Sequence, residues 1–167
     1  MSNVPVMSTR RLAFWSADDS KKGTSRAKWS RNMTNHITFR QLESPNDPNP
    51  SANTGDSPLE KWYRSVRDKP IGEFSYNDLC KACRQQLYPE AVVPIAIETL
   101  RKDPLAGELY DGELLIAMKS VDRQYWLVHL SQAAEIATIA KSIMRQVDDE
   151  SRTELEELIA LLKNSKK

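Results

Sequence analysis

Cysteine, histidine and glycine are scarce in this chain of 167 residues, and each shortage excludes a class of site. Two cysteines and two histidines are too few for a disulfide scaffold and lack the paired ligand spacing of a zinc site. None of the five glycines stands in a phosphate-binding loop. The Glu-x-x-His signature of di-iron helical bundles is missing as well. We therefore expect no metal, no cofactor and no conventional enzyme.

Long apolar runs are also lacking. One of the longest, AVVPIAI over residues 91–97, is far shorter than the roughly 20 residues that a membrane-spanning helix needs. Near the N-terminus, charged and polar residues interrupt the short apolar stretch 12–15 on both sides, so it does not form a secretory signal. We expect a protein without membrane spans and with a cytoplasmic location.

Charge is balanced overall but unevenly placed along the chain. Residues 1–56 hold eight Lys/Arg against five Asp/Glu, whereas residues 57–167 hold sixteen against eighteen. The run from Ser44 to Pro58 contains four prolines and one glycine, which neither a helix nor a central strand tolerates. We predict a disordered basic arm and linker over residues 1–57 and a helical domain over residues 58–167.

Aromatic and basic side chains are interleaved in the predicted arm. This composition is typical of segments that bind single-stranded nucleic acid, although no RNA-binding motif is complete. The set comprises Trp15, Arg26, Lys28, Trp29, Arg31, Ile37, Phe39 and Arg40. A solvated tail is the simpler interpretation. A nucleic-acid-binding or regulatory role through this arm stays open as the alternative, and we expect no direct nucleic-acid binding by the helical domain.

Helix start signals recur after residue 57. Ser57 and Ser75 are each followed three residues later by an acidic residue, which predicts two capping boxes. Asp111 and Asp122 predict two further caps, and an acidic first turn near residue 148 predicts the start of the last helix. The first predicted apolar face comprises Leu59, Trp62, Tyr63 and Val66.

Residues 90–102 predict another helix, although Pro94 interrupts it. An interior proline costs about 3 kcal/mol, so we expect this helix to start late, near Val92, rather than to kink. No alternating strand pattern of useful length follows residue 57. The fold class is therefore predicted to be all-α, a compact bundle of six or seven short helices.

The spacing of Cys80 and Cys83 is shared by redox and zinc sites, but on a helix it places two thiols on one face. We interpret them as core residues, with a thiol pair as the alternative. His129 has no recognisable nucleophile pattern beside it, so we interpret it as a surface or half-buried histidine.

Carboxylates are concentrated in the sequence between residues 90 and 118, which contains six acidic residues up to Glu113 and, over the same stretch, the basic pair Arg101 and Lys102. An acidic surface with exposed aromatic anchors suits a basic protein partner. The candidate binding residues are Glu98, Asp103, Glu108, Tyr110, Asp111, Glu113 and Trp126, with Tyr110 and Trp126 as the anchors. The alternative is local: Asp111 and Glu113 would serve a helix start, and Asp103 a turn.

Four stretches resemble the immunity proteins of bacterial contact-dependent growth inhibition (CDI) systems. They are LEKWYRSVRDKP at 59–70, the run from Asp78-Leu79 to Gln85-Gln86-Leu87, VVPIAIETL at 92–100 and DPLAGELYDGELL at 103–115. The resemblance covers about residues 58–120 well, the remainder to Lys167 weakly and residues 1–56 not at all. It implies a small cytoplasmic protein that binds and neutralises the C-terminal toxin domain of a large exoprotein.

Such toxins are often nucleases with basic clefts, so the resemblance implies that an acidic surface occludes the toxin's active site. Because immunity proteins face different toxins, the shared residues are expected to maintain the fold rather than to contact the partner. These are Trp62, Pro70, Pro94, Pro104, Leu105, Gly107 and Leu115. A helical scaffold protein without a toxin partner is a third interpretation.

Overall fold

Helices dominate the part of the chain that the computed structural model describes, residues 35–43 and 57–164. In chain order they are α1 (Phe39–Leu42), α2 (Pro58–Val66), α3 (Tyr76–Arg84), α4 (Pro89–Lys102), α5 (Glu113–Ala117), α6 (Arg123–Val128), α7 (Leu130–Ile143) and α8 (Asp149–Asn164). Two 3₁₀ turns span Ile71–Glu73 and Met118–Ser120. The described residues contain no strand beyond one isolated bridge between Thr38 and Pro70. The all-α prediction is confirmed, with seven α-helices between residues 58 and 164.

The starts of four helices follow their local signals. The hydroxyls of Ser57 and Ser75 accept backbone N–H groups three residues later at 3.2 and 3.1 Å, and the acidic side chains there bond back to the serine N–H groups. Asp122 caps α6, accepting the N–H of Gln124 at 2.8 Å. Asp148 accepts the N–H of Ser151 at the start of α8, at 2.7 Å. All four predicted starts are confirmed. Each cap accepts a hydrogen bond from a backbone N–H group that the first turn of a helix leaves without a partner.

The predicted late start of α4 is wrong. The helix begins at Pro89, directly after Tyr88 in a left-handed conformation with φ of 43°. Pro89 suits the first helical position, because a backbone N–H there would have no hydrogen-bond partner within the helix. Pro94 then lies inside the helix and leaves the carbonyl of Glu90 without its helical donor. Seven buried side chains on α4 supply the packing that outweighs this loss.

The centre of the molecule is α5, a helix of five residues that packs against α3, α4 and α8. Leu114, Leu115 and the following Met118 are fully buried, as expected for a short helix that is apolar on most sides. The longer helices α7 and α8 pack along each other beside it. In α2, Trp62 and Val66 face this core, but Leu59 is 40% exposed, so its predicted place on the apolar face is wrong.

The segment 35–43 differs from the predicted disordered arm, because it packs on the helical domain. Phe39 is fully buried, and its ring lies 5.1 Å from the ring centres of both Phe74 and Tyr88. The N–H of Ile71 donates to the carbonyl of Ile37 at 2.9 Å. The prediction of a disordered arm is therefore wrong for these residues. The remainder of the predicted arm and linker, residues 1–34 and 44–56, lies outside the described residues.

Polar contacts fasten the same segment. The Glu43 carboxylate accepts hydrogen bonds from Arg67 Nε at 2.6 Å and from the Tyr63 hydroxyl at 2.8 Å. Burial alone would raise the pKa of the Glu43 carboxyl, but these two hydrogen bonds outweigh it and hold the pKa below its usual value. Arg40 pairs with Asp68. Phe39 and Arg40, two members of the proposed nucleic-acid-binding set, thus have structural partners.

Candidate functional site

A loop of ten residues, 103–112, connects α4 to α5. At its start the Asp103 carboxylate accepts the N–H of Leu105 at 3.1 Å, which begins a tight turn. At Gly107 the backbone comes so close to the rest of the loop that a Cβ would lie 2.0 Å from the carbonyl oxygen of Tyr110. Only glycine fits such an approach, so the sequence closes the loop on itself at this point.

A buried carboxylate binds the backbone of this loop. Glu113 is only 1% exposed, and its Oε2 accepts the backbone N–H groups of Glu108 and Leu109, each at 3.0 Å. Its Oε1 accepts a hydrogen bond from Arg84 Nη1 at 2.9 Å. Burial alone would raise the pKa of Glu113, but the backbone N–H groups and Arg84 outweigh it and keep the pKa below its usual value. We call the Arg84–Glu113 pair the brace.

The side chains above the brace point to solvent. Leu109 is 79% exposed, and Glu108, Tyr110 and Asp111 beside it are exposed as well. The Tyr110 hydroxyl accepts a hydrogen bond from Arg84 Nη2 at 3.3 Å. The hydroxyl of Tyr76, also exposed, donates to Asp103 at 3.1 Å. These contacts lie at the first and last residues of α3, so the loop runs along that helix. We call the side chains of the loop and its two α3 partners the loop surface; it comprises Tyr76, Arg84, Asp103, Glu108, Leu109, Tyr110 and Asp111.

A second exposed apolar patch lies where α6 meets α7. We call it the junction surface; it comprises Leu127, Val128 and Leu130, of which Val128 is 75% exposed. Next to it His129 Nε2 lies 3.0 Å from a carboxylate oxygen of Glu90, at the start of α4. The junction surface is formed by α6 and α7, whereas the loop surface is formed by α3 and the loop between α4 and α5.

The two cysteines are core residues, as predicted. Cys80 and Cys83 are both buried and free on α3. Burial raises the pKa of each thiol to about 12, so neither supplies a thiolate at neutral pH. No cluster of His, Cys, Asp and Glu among residues 35–43 and 57–164 has a geometry that would hold a metal ion. His129 is half-buried, in agreement with its interpretation.

Comparison with known families identifies the group to which this arrangement belongs. The model of the CDI immunity proteins matches residues 43–136, more than half of the chain. The chain belongs to the CDI immunity protein family. No curated protein matches it in sequence. The matched residues run from the end of the segment 35–43 into α7, so they include the brace, the loop surface and the junction surface.

Family membership makes this chain a toxin-neutralising immunity protein, and it implies an inhibitor that acts by binding its cognate toxin. Two of the residues that the resemblance expects to maintain the fold are buried. Trp62 and Leu115 lie in the core, and the indole N–H of Trp62 donates to Asp78 at 2.9 Å. No helix in the described part of the immunity protein is long and apolar enough to cross a membrane.

Four of the seven predicted binding residues share the loop surface of the immunity protein: Asp103, Glu108, Tyr110 and Asp111. Glu98 lies elsewhere. It projects from α4 into a shallow groove lined also by His36 and Gly72, and it pairs with Lys102 at 3.3 Å. The structure thus places three of the five predicted acidic residues on the loop surface and Glu98 beside the segment 35–43.

Three expectations about this set are wrong. Trp126 is fully buried in the core, so it does not offer an exposed anchor. Glu113 is buried too, and its charge is neutralised by Arg84 instead of facing a partner. Asp111 does not cap α5, because the residue before the helix is Gly112, with φ of 82° and no side chain to bond.

Sequence reasoning missed Leu109, the most prominent apolar side chain of the loop surface. A lone leucine in a sequence is normally assigned to a core, and nothing in its neighbours marks it as exposed. The useful signal in the sequence is the pair of glycines, Gly107 and Gly112, on either side of Leu109. Glycines are typical of turns, so they indicate that Leu109 lies in a loop.

Proposed function

We propose that this immunity protein neutralises the nuclease domain at the C-terminus of a large exoprotein, in the cytoplasm, by covering the nuclease active site with the loop surface. The observation that carries the proposal is the combination found there. Two exposed carboxylates, Glu108 and Asp111, flank an exposed apolar pair, Leu109 and Tyr110. Apolar anchors together with complementary charge are what a tight protein interface requires.

Electrostatics favour a basic partner at this surface. Asp103, Glu108 and Asp111 carry negative charge there, Arg84 is already paired with the buried Glu113, and the neighbouring Lys102 is paired with Glu98. A nuclease must attract phosphates, so its active-site cleft is basic. An acidic surface steers association with such a cleft and raises the association rate, most strongly at low salt.

A charge-reversal pair tests this assignment. Glu108→Lys combined with Asp111→Lys should lower the association rate with the toxin domain by about ten- to a hundredfold at low salt, with a smaller effect at high salt. Both side chains are exposed, so the fold should persist. The cognate toxin domain is expected to be encoded directly upstream, and stopped-flow mixing at several salt concentrations measures the rate.

The matched control reverses two exposed carboxylates elsewhere, Glu73→Lys with Glu156→Lys. It changes the net charge by the same amount but leaves the loop surface intact. If the two double variants lose association rate equally, the effect belongs to net charge and the assignment to the loop surface fails.

Occlusion of the active site needs its own measurement. A stoichiometric amount of the immunity protein should stop cleavage of a short RNA or DNA by the toxin domain, and that substrate should compete with the immunity protein for the toxin. A ternary complex of toxin, immunity protein and substrate would contradict occlusion. A toxin domain without nuclease activity, tested on both nucleic acids, would contradict the nuclease assignment.

A further inference from the structure

We infer that Leu109 is the principal apolar anchor of the loop surface, that the brace holds it in its binding position before the partner arrives, and that the toxin carries a leucine-sized apolar pocket bordered by basic side chains. This inference rests on the proposed function and deepens it. It identifies one residue that provides affinity, a second that positions it, and the chemistry of the complementary site.

The first argument is the combination of exposure and fixation at Leu109. Its side chain is 79% exposed, although the backbone N–H that carries it is bonded to the buried Glu113 at 3.0 Å. An isolated exposed leucine needs no explanation. A leucine at the tip of a loop that a buried ion pair holds in place is different, because the fold keeps it from turning into the core.

The second argument concerns the ordering of the loop. Binding loops normally lose conformational freedom when they meet a partner, and this loss weakens the complex. Here the backbone is already closed, because Glu113 binds two successive N–H groups and the backbone of Gly107 packs closely against that of Tyr110. The Tyr110 ring is held in the same way by the hydrogen bond from Arg84. The loop surface therefore enters the complex largely preformed.

The third argument specifies the partner. Glu108 and Asp111 stand on either side of the apolar pair and are exposed, so a pocket that receives Leu109 brings these carboxylates to its rim. Desolvated carboxylates without partners weaken binding, so the rim must supply lysine or arginine side chains. An apolar pocket at the edge of a basic cleft meets both requirements.

The junction surface offers a matched control for the anchor. Val128 there is 75% exposed, nearly as much as Leu109, but it belongs to α6 and is not part of the loop surface. Leu109→Ala should weaken toxin binding at least about tenfold, as truncation of a central anchor does, mainly through faster dissociation. Val128→Ala should leave binding unchanged. Surface plasmon resonance with the full-length variants and the toxin domain measures both rates.

The result of this comparison separates the inference from the proposed function. If Leu109→Ala binds as the wild type does while the Glu108 and Asp111 reversal slows association, the acidic surface stands and the anchor is overturned. If Val128→Ala weakens binding and neither loop variant does, the toxin binds at the junction surface and both the anchor and the proposed use of the loop surface are overturned.

The positioning role of Glu113 has a separate readout. Glu113→Ala should speed hydrogen exchange of the Glu108 and Leu109 amides and raise the toxin dissociation rate, although Glu113 is buried beneath the loop surface. Glu113→Gln keeps an oxygen that accepts the two N–H groups, so it should restore slow exchange and most of the affinity. Fast dissociation in Glu113→Gln with protected amides would overturn positioning. Glu113→Asp tests the same role if Glu113→Ala fails to fold, because it keeps the charge but shortens the reach to the two N–H groups.

Discussion

At the scale of single residues, the same chemical type performs opposite tasks within a few positions. Glu108 and Asp111 are exposed to solvent. Glu113, by contrast, is buried and accepts hydrogen bonds from two backbone N–H groups and Arg84. The difference is in the environment, because a buried carboxylate is tolerated only when its charge is compensated. Sequence position alone does not distinguish them.

Glu113 should make stability depend on pH. Its pKa is depressed in the folded state, so its contribution is complete above the unfolded-state value of 4.5 and is lost as pH falls through the lower folded-state value. Glu113→Gln should cost about 1–3 kcal/mol of unfolding free energy at pH 7. That difference should shrink steadily below pH 4.5, which urea denaturation at a series of pH values measures. A difference that stays constant down to acid pH would show that the lost packing, not the charge, is responsible.

At the scale of elements, α2 and α3 both begin with a capping box, but the acidic residue of the second box makes additional contacts. Ser57–Glu60 caps α2 at the surface. Ser75–Asp78 caps α3, and the Asp78 carboxylate also accepts the indole N–H of Trp62 at 2.9 Å and the ammonium of Lys69 at 3.2 Å. One carboxylate therefore links the start of α3 to α2.

This difference predicts unequal effects of equivalent substitutions. Glu60→Ala should cost about 0.5–1 kcal/mol, the usual contribution of a cap. Asp78→Ala should cost about 2–3 kcal/mol, because it also leaves the Trp62 indole N–H without its charged acceptor. Thermal and urea unfolding of the two variants give the comparison. Equal losses would mean that the link between α2 and α3 contributes nothing to stability.

At the scale of the whole molecule, the segment 35–43 completes the helical domain across a gap in the described chain. Phe39 fills a site among Tyr63, Phe74 and Tyr88, and Glu43 bonds to Arg67. Burial of one phenylalanine in such a site is a large fraction of the stability of a small domain.

Two truncations test this dependence. Removal of residues 1–43 takes away Phe39 and should lower the unfolding free energy by about 3–5 kcal/mol, the cost of emptying a buried aromatic site. Removal of residues 1–34 keeps the segment and should leave both stability and toxin affinity unchanged. Urea denaturation and toxin binding measure the outcome. Loss of toxin binding in the shorter truncation, with the fold intact, would instead give the basic N-terminal residues a role in recognition.

The segment 35–43 also shows where sequence reasoning stops. A helix of four residues is too short to display a 3.6-residue period, and Ile37, Phe39 and Leu42 are too few to mark an apolar face. Its assignment depends on an aromatic site built by residues from α2, the turn before α3 and the start of α4. No local signal reports that site.

The sequence by itself determined the all-α class, the caps at Ser57, Ser75 and Asp122, and the CDI immunity family, because these depend on local hydrogen bonding, periodicity and contiguous motifs. Only the tertiary structure decided which side chains are exposed. It buried Trp126 and Glu113, exposed Leu109 and kept Pro94 within α4. Exposure is set by what packs on a residue from distant parts of the chain, and the free energy of that packing outweighs local preference.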